Sequence, residues 1–113
     1  MSRISKKAKT RPALVVQNDT GNRFGSTVIV ALISFSVPEK RYPMHYPIPH
    51  PSAVAKAAGL QETSVVKMET LITLPRRAIL RKLGTLPREA ILEADSALAF
   101  SLDLPLAAPA GRY

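Results

Sequence analysis

The chain has 113 residues, 46% of them hydrophobic, enough for one compact domain with its own core and too few for two. Sixteen Lys and Arg against eight Asp and Glu leave a net charge of +8, so a phosphate backbone or an acidic protein is the natural complement. The absence of cysteine excludes disulfides, thiolate metal sites and thiol nucleophiles. The longest apolar stretch, Thr27 to Phe35, is far below the roughly 20 residues that cross a bilayer, so a cytoplasmic protein with no membrane role is expected.

Five basic side chains fall in the first eleven residues (Arg3, Lys6, Lys7, Lys9, Arg11), and residues 1–10 read as a basic, disordered leader. Pro12 to Gln17 and Thr27 to Ser34 are short runs rich in Val, Ile and Leu, bounded by turn formers, which predicts two buried strands. Between them Asn18-Asp19-Thr20-Gly21-Asn22 has the residues of a reversing loop, so the pair reads as a hairpin. Ser36 to Leu60 holds five prolines (Pro38, Pro43, Pro47, Pro49, Pro51); each lacks a ladder donor, which predicts a long loop or an edge strand. Ser64 to Ile72 alternates as a strand, with Lys67 and Glu69 on one face and Val66 and Met68 on the other. Thr73-Leu74-Pro75 resembles a helix start and Gly84 the residue past a helix end, predicting a helix over Pro75 to Leu83. Thr85-Leu86-Pro87 opens a second helix whose apolar stripe is Ile91, Ala94, Leu98 and Leu102, ended by Pro105. The folded domain is then 11–104, and 105–113, rich in Ala, Pro and Gly, a flexible tail.

Three blocks carry a family resemblance: Arg11-Pro12 with Val15-Val16-Gln17-Asn18-Asp19-Thr20-Gly21-Asn22 and Thr27-Val28-Ile29-Val30-Ala31, then Ser64 to Thr73, then Leu83-Gly84 with the closing Ser101-Leu102. In this order they resemble the MazF/PemK family of toxins. Tyr42-Pro43-Met44-His45 is similar in part to a Leu-Pro-Thr-His-like stretch of that family, and Pro47 to Ala58 to a variable loop. The resemblance implies a mainly β fold, an SH3-like small barrel (MazF/PemK/CcdB-like) with a short helix and a C-terminal helix. It implies a homodimeric, metal-independent, sequence-selective endoribonuclease with no cofactor, acting on single-stranded RNA and regulated by a cognate antitoxin with an acidic tail. The first ten residues match neither the Gly-Asp-Val-Tyr-type strand nor the Gly-Ser-Glu-Gln-like loop with which the family begins. That edge strand and active-site loop are therefore expected to be missing, through either a displaced start or divergence.

Metal-free RNA cleavage uses the substrate's own 2′-hydroxyl to attack the neighbouring phosphorus, so the protein has only to place a base, an acid and a cation around it. The resemblance makes Arg11 and Ser34 the catalytic candidates. Arg11 offers a planar, always-protonated fork to the charge that develops on phosphorus, and Ser34 keeps the hydroxyl of the family's threonine without its χ1-restricting methyl. RNA-binding candidates are Gln17, Asn18, Asn22, Pro43, Lys67 and Glu69. Asn in a Gly-containing loop is equally explained by turn geometry, and Lys67 with Glu69 by a surface ion pair. Tyr42 and Tyr46 beside Lys40 and Arg41 suit base stacking or packing. His45 and His50 have no metal-ligand spacing; His45 offers a proton donor or a loop histidine without a task. Arg76, Arg77, Arg81 and Lys82 are placed on the first helix, as a solvated face or an RNA or antitoxin contact. Two other functions stay open: a CcdB-like gyrase poison, independent of Arg11, and a truncated, inactive relative that binds antitoxin or nucleic acid.

Overall fold

The computed structural model describes residues 2–6, 9–16 and 25–105. Six antiparallel strands form one sheet: β1 (Ser2–Lys6), β2 (Lys9–Val15), β3 (Thr27–Ser34), β4 (His45–Ile48), β5 (Ser64–Pro75) and β6 (Ile79–Lys82), in spatial order β4-β5-β3-β2-β1-β6. Among the described residues two α-helices join them, α1 (Ala53–Ala58) and α2 (Arg88–Ser101). The mainly β architecture with a short and a C-terminal helix is the one expected.

The β2–β3 hairpin forms where the Val/Ile-rich runs place it, with Ala13 opposite Leu32 and Val15 opposite Val30. Alternation along β3 feeds two cores. Ala31 and Ile33 join Leu14, Tyr46, Ile48, Val66 and Met68 beneath the helices. Val28 and Val30 join Ala13 on the other face, against Leu74 and Ile79. Each fully buried aliphatic such as Ile48, Val30 or Val66 contributes on the order of 1.5–3 kcal/mol relative to exposure. Ser64, a buried polar side chain, is satisfied by donating to the Glu62 carbonyl at 2.8 Å.

Several expectations are corrected. The leader is in part a strand: β1 pairs with β2 on one side and β6 on the other, so neighbours on both sides specify it without help from its own polar composition. The first strand is therefore present, and it is internal to the sheet. Lys6 pairs with Lys9, and positions 7 and 8, where the family's active-site loop would fall, lie outside the described residues. The helix predicted over Pro75 to Leu83 is the end of β5, a single 3-10 turn (Arg76–Ala78) and β6. The Arg76 amide donates to the Ser26 carbonyl at 2.9 Å and Ile79 onward pairs with β1, so non-local pairing overrides the helix-like punctuation.

The proline-rich segment does carry an edge strand, β4, with Pro47 inside it. It also carries α1, which was not expected. Ser52 accepts from the Ala55 amide at 3.1 Å as its N-cap, and Gly59 closes it with φ +74°. Gly59 and Gly84 meet back to back: a Cβ on Gly84 would lie 2.2 Å from the Ala57 carbonyl oxygen, and one on Gly59 2.2 Å from that of Leu83. Thr85 donates to the Ala57 carbonyl at 3.0 Å, so this contact docks the β6–α2 connection onto α1.

In α2 the buried face is Ala90, Ala94 and Ala97, with Leu98 partly covered, while Ile91 and Leu102 are exposed. The predicted stripe is therefore rotated. Small side chains let the helix lie close to β4 and β5, and the larger ones are turned out. The helix stops at Ser101, with Asp103 in the left-handed region at φ +56°. Residues 18–22 of the predicted loop and 106–113 of the predicted tail lie outside the described residues.

Candidate active site

Continuing the β2–β3 register two residues beyond the Ala13–Leu32 pair brings Arg11 opposite Ser34. Leu32 in turn faces Lys67 of β5, and Lys67 faces His45 of β4. The period of two puts Arg11, Ser34, Lys67 and His45 on one face of four neighbouring strands. Arg11, Ser34, Lys67 and Thr70 line one cavity of about 680 Å3, together with Leu32 and Phe35. Arg11 is exposed there, while Ser34 and Lys67 are half-buried.

The Ser34 hydroxyl is held by a short local turn. Its oxygen accepts from the Ser36 amide at 3.0 Å, and its hydrogen is directed at the Ser36 carbonyl at 3.3 Å. The amide fixes the oxygen, leaving the single proton free to rotate toward an acceptor in the cavity.

β5 is bent at this point. Leu32 pairs with Lys67 but Ala31 pairs with Leu71, so Met68, Glu69 and Thr70 have no partner on β3. The predicted faces hold, Val66 and Met68 in and Lys67 and Glu69 out, yet the bend aims the two charges at different neighbours. Lys67 lines the Arg11 cavity, whereas Glu69 accepts from Nε2 of His45 at 2.9 Å. The His45 ring is 10% exposed, meets the Tyr42 ring edge-on at 5.3 Å, and its Nδ1 has no partner among the described residues.

Burial pushes the Glu69 carboxyl up, but the hydrogen bond from His45, a bond with its own backbone and the charges of His45 and Lys67 outweigh it and hold the carboxyl below its ordinary value. A carboxyl lowered on folding stabilises the chain above the unfolded value of about 4.3, and that contribution is lost as pH falls through the folded value. Wild type and Glu69→Gln are expected to differ modestly in urea midpoint at neutral pH and to converge as pH falls through the folded value. An undiminished difference in acid contradicts this account.

Pro43 is placed elsewhere, with Arg41, Tyr42, His45, Glu93 and Phe100 in a second cavity between the approach to β4 and α2. Gln17, Asn18 and Asn22 lie outside the described residues. Tyr46 is core, not a stacking surface: it is 5% exposed, and burial, then the nearby Glu93 charge, pushes its hydroxyl pKa up. Tyr42 is exposed, with the Lys40 ammonium 5.9 Å from its ring centre. Arg81 and Lys82 are exposed on β6 and not on a helix. Thr70 was missed because nothing local marks it, and the His45–Glu69 pair because 24 residues separate its members. Among the described residues no group of three or more His, Cys, Asp or Glu comes together to hold a metal ion.

Residues 2–102 match the model of the PemK-like, MazF-like toxin of type II toxin-antitoxin systems, and the chain belongs to that family. It is 35% identical over 100 residues to the Endoribonuclease MazF of Staphylococcus epidermidis, an alignment spanning 88% of this chain and 79% of the relative. In fold it is similar to the Mycobacterium tuberculosis toxin MazF-mt6, with a TM-score of 0.77 at 23% identity over 93% of this chain and 98% of that one. It is also similar to a mycobacterial endoribonuclease solved in complex with its cognate antitoxin, with a TM-score of 0.74 at 20% identity over 94% and 93% of the two chains.

Proposed function

We propose that the chain is a sequence-selective mRNA interferase, a metal-independent endoribonuclease that cuts single-stranded RNA at the Arg11–Ser34 cavity. The observation that carries the reading is the convergence of a guanidinium, a hydroxyl and an ammonium, from β2, β3 and β5, on one cavity. The substrate's 2′-hydroxyl attacks the adjacent phosphorus, the bond to the 5′-oxygen breaks, and the products are a 2′,3′-cyclic phosphate and a 5′-hydroxyl. The proton leaving the 2′-oxygen is balanced by one gained at the 5′-oxygen. Arg11 faces the charge that builds on the non-bridging oxygens, and the Ser34 proton turns from the Ser36 carbonyl to one of them. Lys67 and Glu69, with Pro43 further along and Gln17, Asn18 and Asn22 on the β2–β3 connection, hold the flanking strand.

The relative named an endoribonuclease supports the activity. The family's description as the toxin of a two-component system supports an antitoxin partner, and the net charge of +8 suits an acidic tail on it. Phe100, Leu102 and Leu104, all exposed around the end of α2, support a homodimer that covers them. Among the described residues no helix is long and apolar enough to cross a membrane; an mRNA substrate supports a cytoplasmic location. The test is a mixed single-stranded RNA incubated with the protein in EDTA, beside the same RNA carrying a 2′-deoxy sugar at the mapped site. Cleavage at a short motif with cyclic-phosphate ends, abolished by the deoxy sugar, is expected. RNA left whole rejects the reading, as does cleavage that survives removal of the 2′-hydroxyl.

A further inference from the structure

At the bend of β5, where β3 gives Met68 no partner, the backbone groups of Met68 are both bonded on the other side. Its amide donates to the Met44 carbonyl at 3.1 Å, in the approach to β4. Its carbonyl accepts from the hydroxyl of Ser101, the last residue of α2, at 2.8 Å in a part-buried contact. The Met68 side chain is 1% exposed, so water cannot readily replace that donor. The bend is thus pinned from two directions, and Lys67, Glu69 and Thr70 are hung on it.

We propose that Ser101 is a positioning residue of the nuclease site: through the Met68 carbonyl it locks the bend that points Lys67 and Thr70 into the Arg11–Ser34 cavity and Glu69 at His45. The inference rests on the endoribonuclease reading. Nothing on α2 itself has to touch substrate, because the helix acts through one hydrogen bond to the backbone. Loss of the hydroxyl lets the bend relax by a fraction of an ångström, enough to misplace groups that act only when aligned.

The test compares full-length wild type, Ser101→Ala, Ser101→Thr and a control, Thr63→Ala, whose hydroxyl accepts from the His50 amide at 3.0 Å, donates to the His50 carbonyl at 3.3 Å and lines neither of the two cavities above. Cleavage is followed at a temperature where circular dichroism shows every variant folded. Ser101→Ala is expected to lose roughly ten- to a hundredfold in kcat/KM. Ser101→Thr, which keeps the hydroxyl, restores most of it, and Thr63→Ala matches wild type. If Ser101→Ala does not fold, Ser101→Cys, a weaker donor of similar size, takes its place in the same comparison. Wild-type kcat/KM in the hydroxyl-less variant overturns the proposal, as does a loss that only tracks the folded fraction. Because wild type is cut-competent in either event, such a result leaves the endoribonuclease reading intact; an inactive wild type fails that reading instead.

Discussion

Replacing Arg11 by alanine is expected to remove RNA cleavage while leaving the fold alone. Arg11 is exposed, so truncation costs stability no more than about 0.5 kcal/mol. The loss appears where charge develops: removing a preorganised donor to a transition-state oxyanion costs on the order of 10²–10³ in rate. Arg11→Lys is expected between the two, because a point charge replaces a planar fork that grips two oxygens. Ser34→Ala, in the same series, loses less, about tenfold, since one neutral donor is removed from a site that keeps its cations. Ser34→Thr retains the donor and stiffens χ1, and is expected to match or exceed wild type. Single-turnover cleavage of end-labelled RNA in EDTA measures all four, with circular dichroism alongside. Equal cutting by Arg11→Ala and wild type would remove the arginine from the mechanism.

Gly84→Ala is expected to be strongly damaging for a change of a single methyl group. The added Cβ would sit 2.2 Å from the Ala57 carbonyl oxygen and 2.6 Å from the Ala58 carbonyl carbon, both backbone atoms that cannot swing aside like the end of a side chain. The connection to α2 has to lift off α1, breaking the Thr85 to Ala57 hydrogen bond. Overpacking of this kind costs about 3 kcal/mol or more, equivalent to a fall in Tm of roughly 10 °C. Gly59→Ala is comparable, because it adds a left-handed backbone to a similar clash. Thermal melts of the two variants check this. A Tm within 2–3 °C of wild type, under ~1 kcal/mol, would mean the glycine contact is looser than its geometry.

What could be read from residues alone was whatever is encoded locally. Continuous Val and Ile runs with Asn and Gly between them specify the β2–β3 hairpin, and alternation specifies β5 as far as Ile72. Ser52 and Gly59 mark both ends of α1, but the surrounding prolines hid a helix barely longer than one turn. Thr73-Leu74-Pro75 and Gly84 carry genuine helix punctuation, and lose because Ile79 to Lys82 gains a partner strand 75 residues or more upstream in β1. On α2 the larger apolar residues mislead: closeness to the sheet selects alanine, so size and burial run in opposite directions. At the site, Arg11 and Ser34 come together by register alone, which short strands and their connection largely determine. The separation of Lys67 from Glu69 depends on a bend held by Met44 and Ser101, and nothing near Lys67 in the chain announces either.

The two ends of the strand order bear on how molecules meet one another. Pro47 withdraws an amide from the rim of β4, and Arg81 with Lys82 crowds positive charge along β6. A copy approaching the first rim finds a gap in the hydrogen-bonding row, and one approaching the second brings the same cations with it. Runaway stacking of sheets into fibrils is thereby discouraged at each flank, even though the strands between are as rich in valine and isoleucine as an amyloid core.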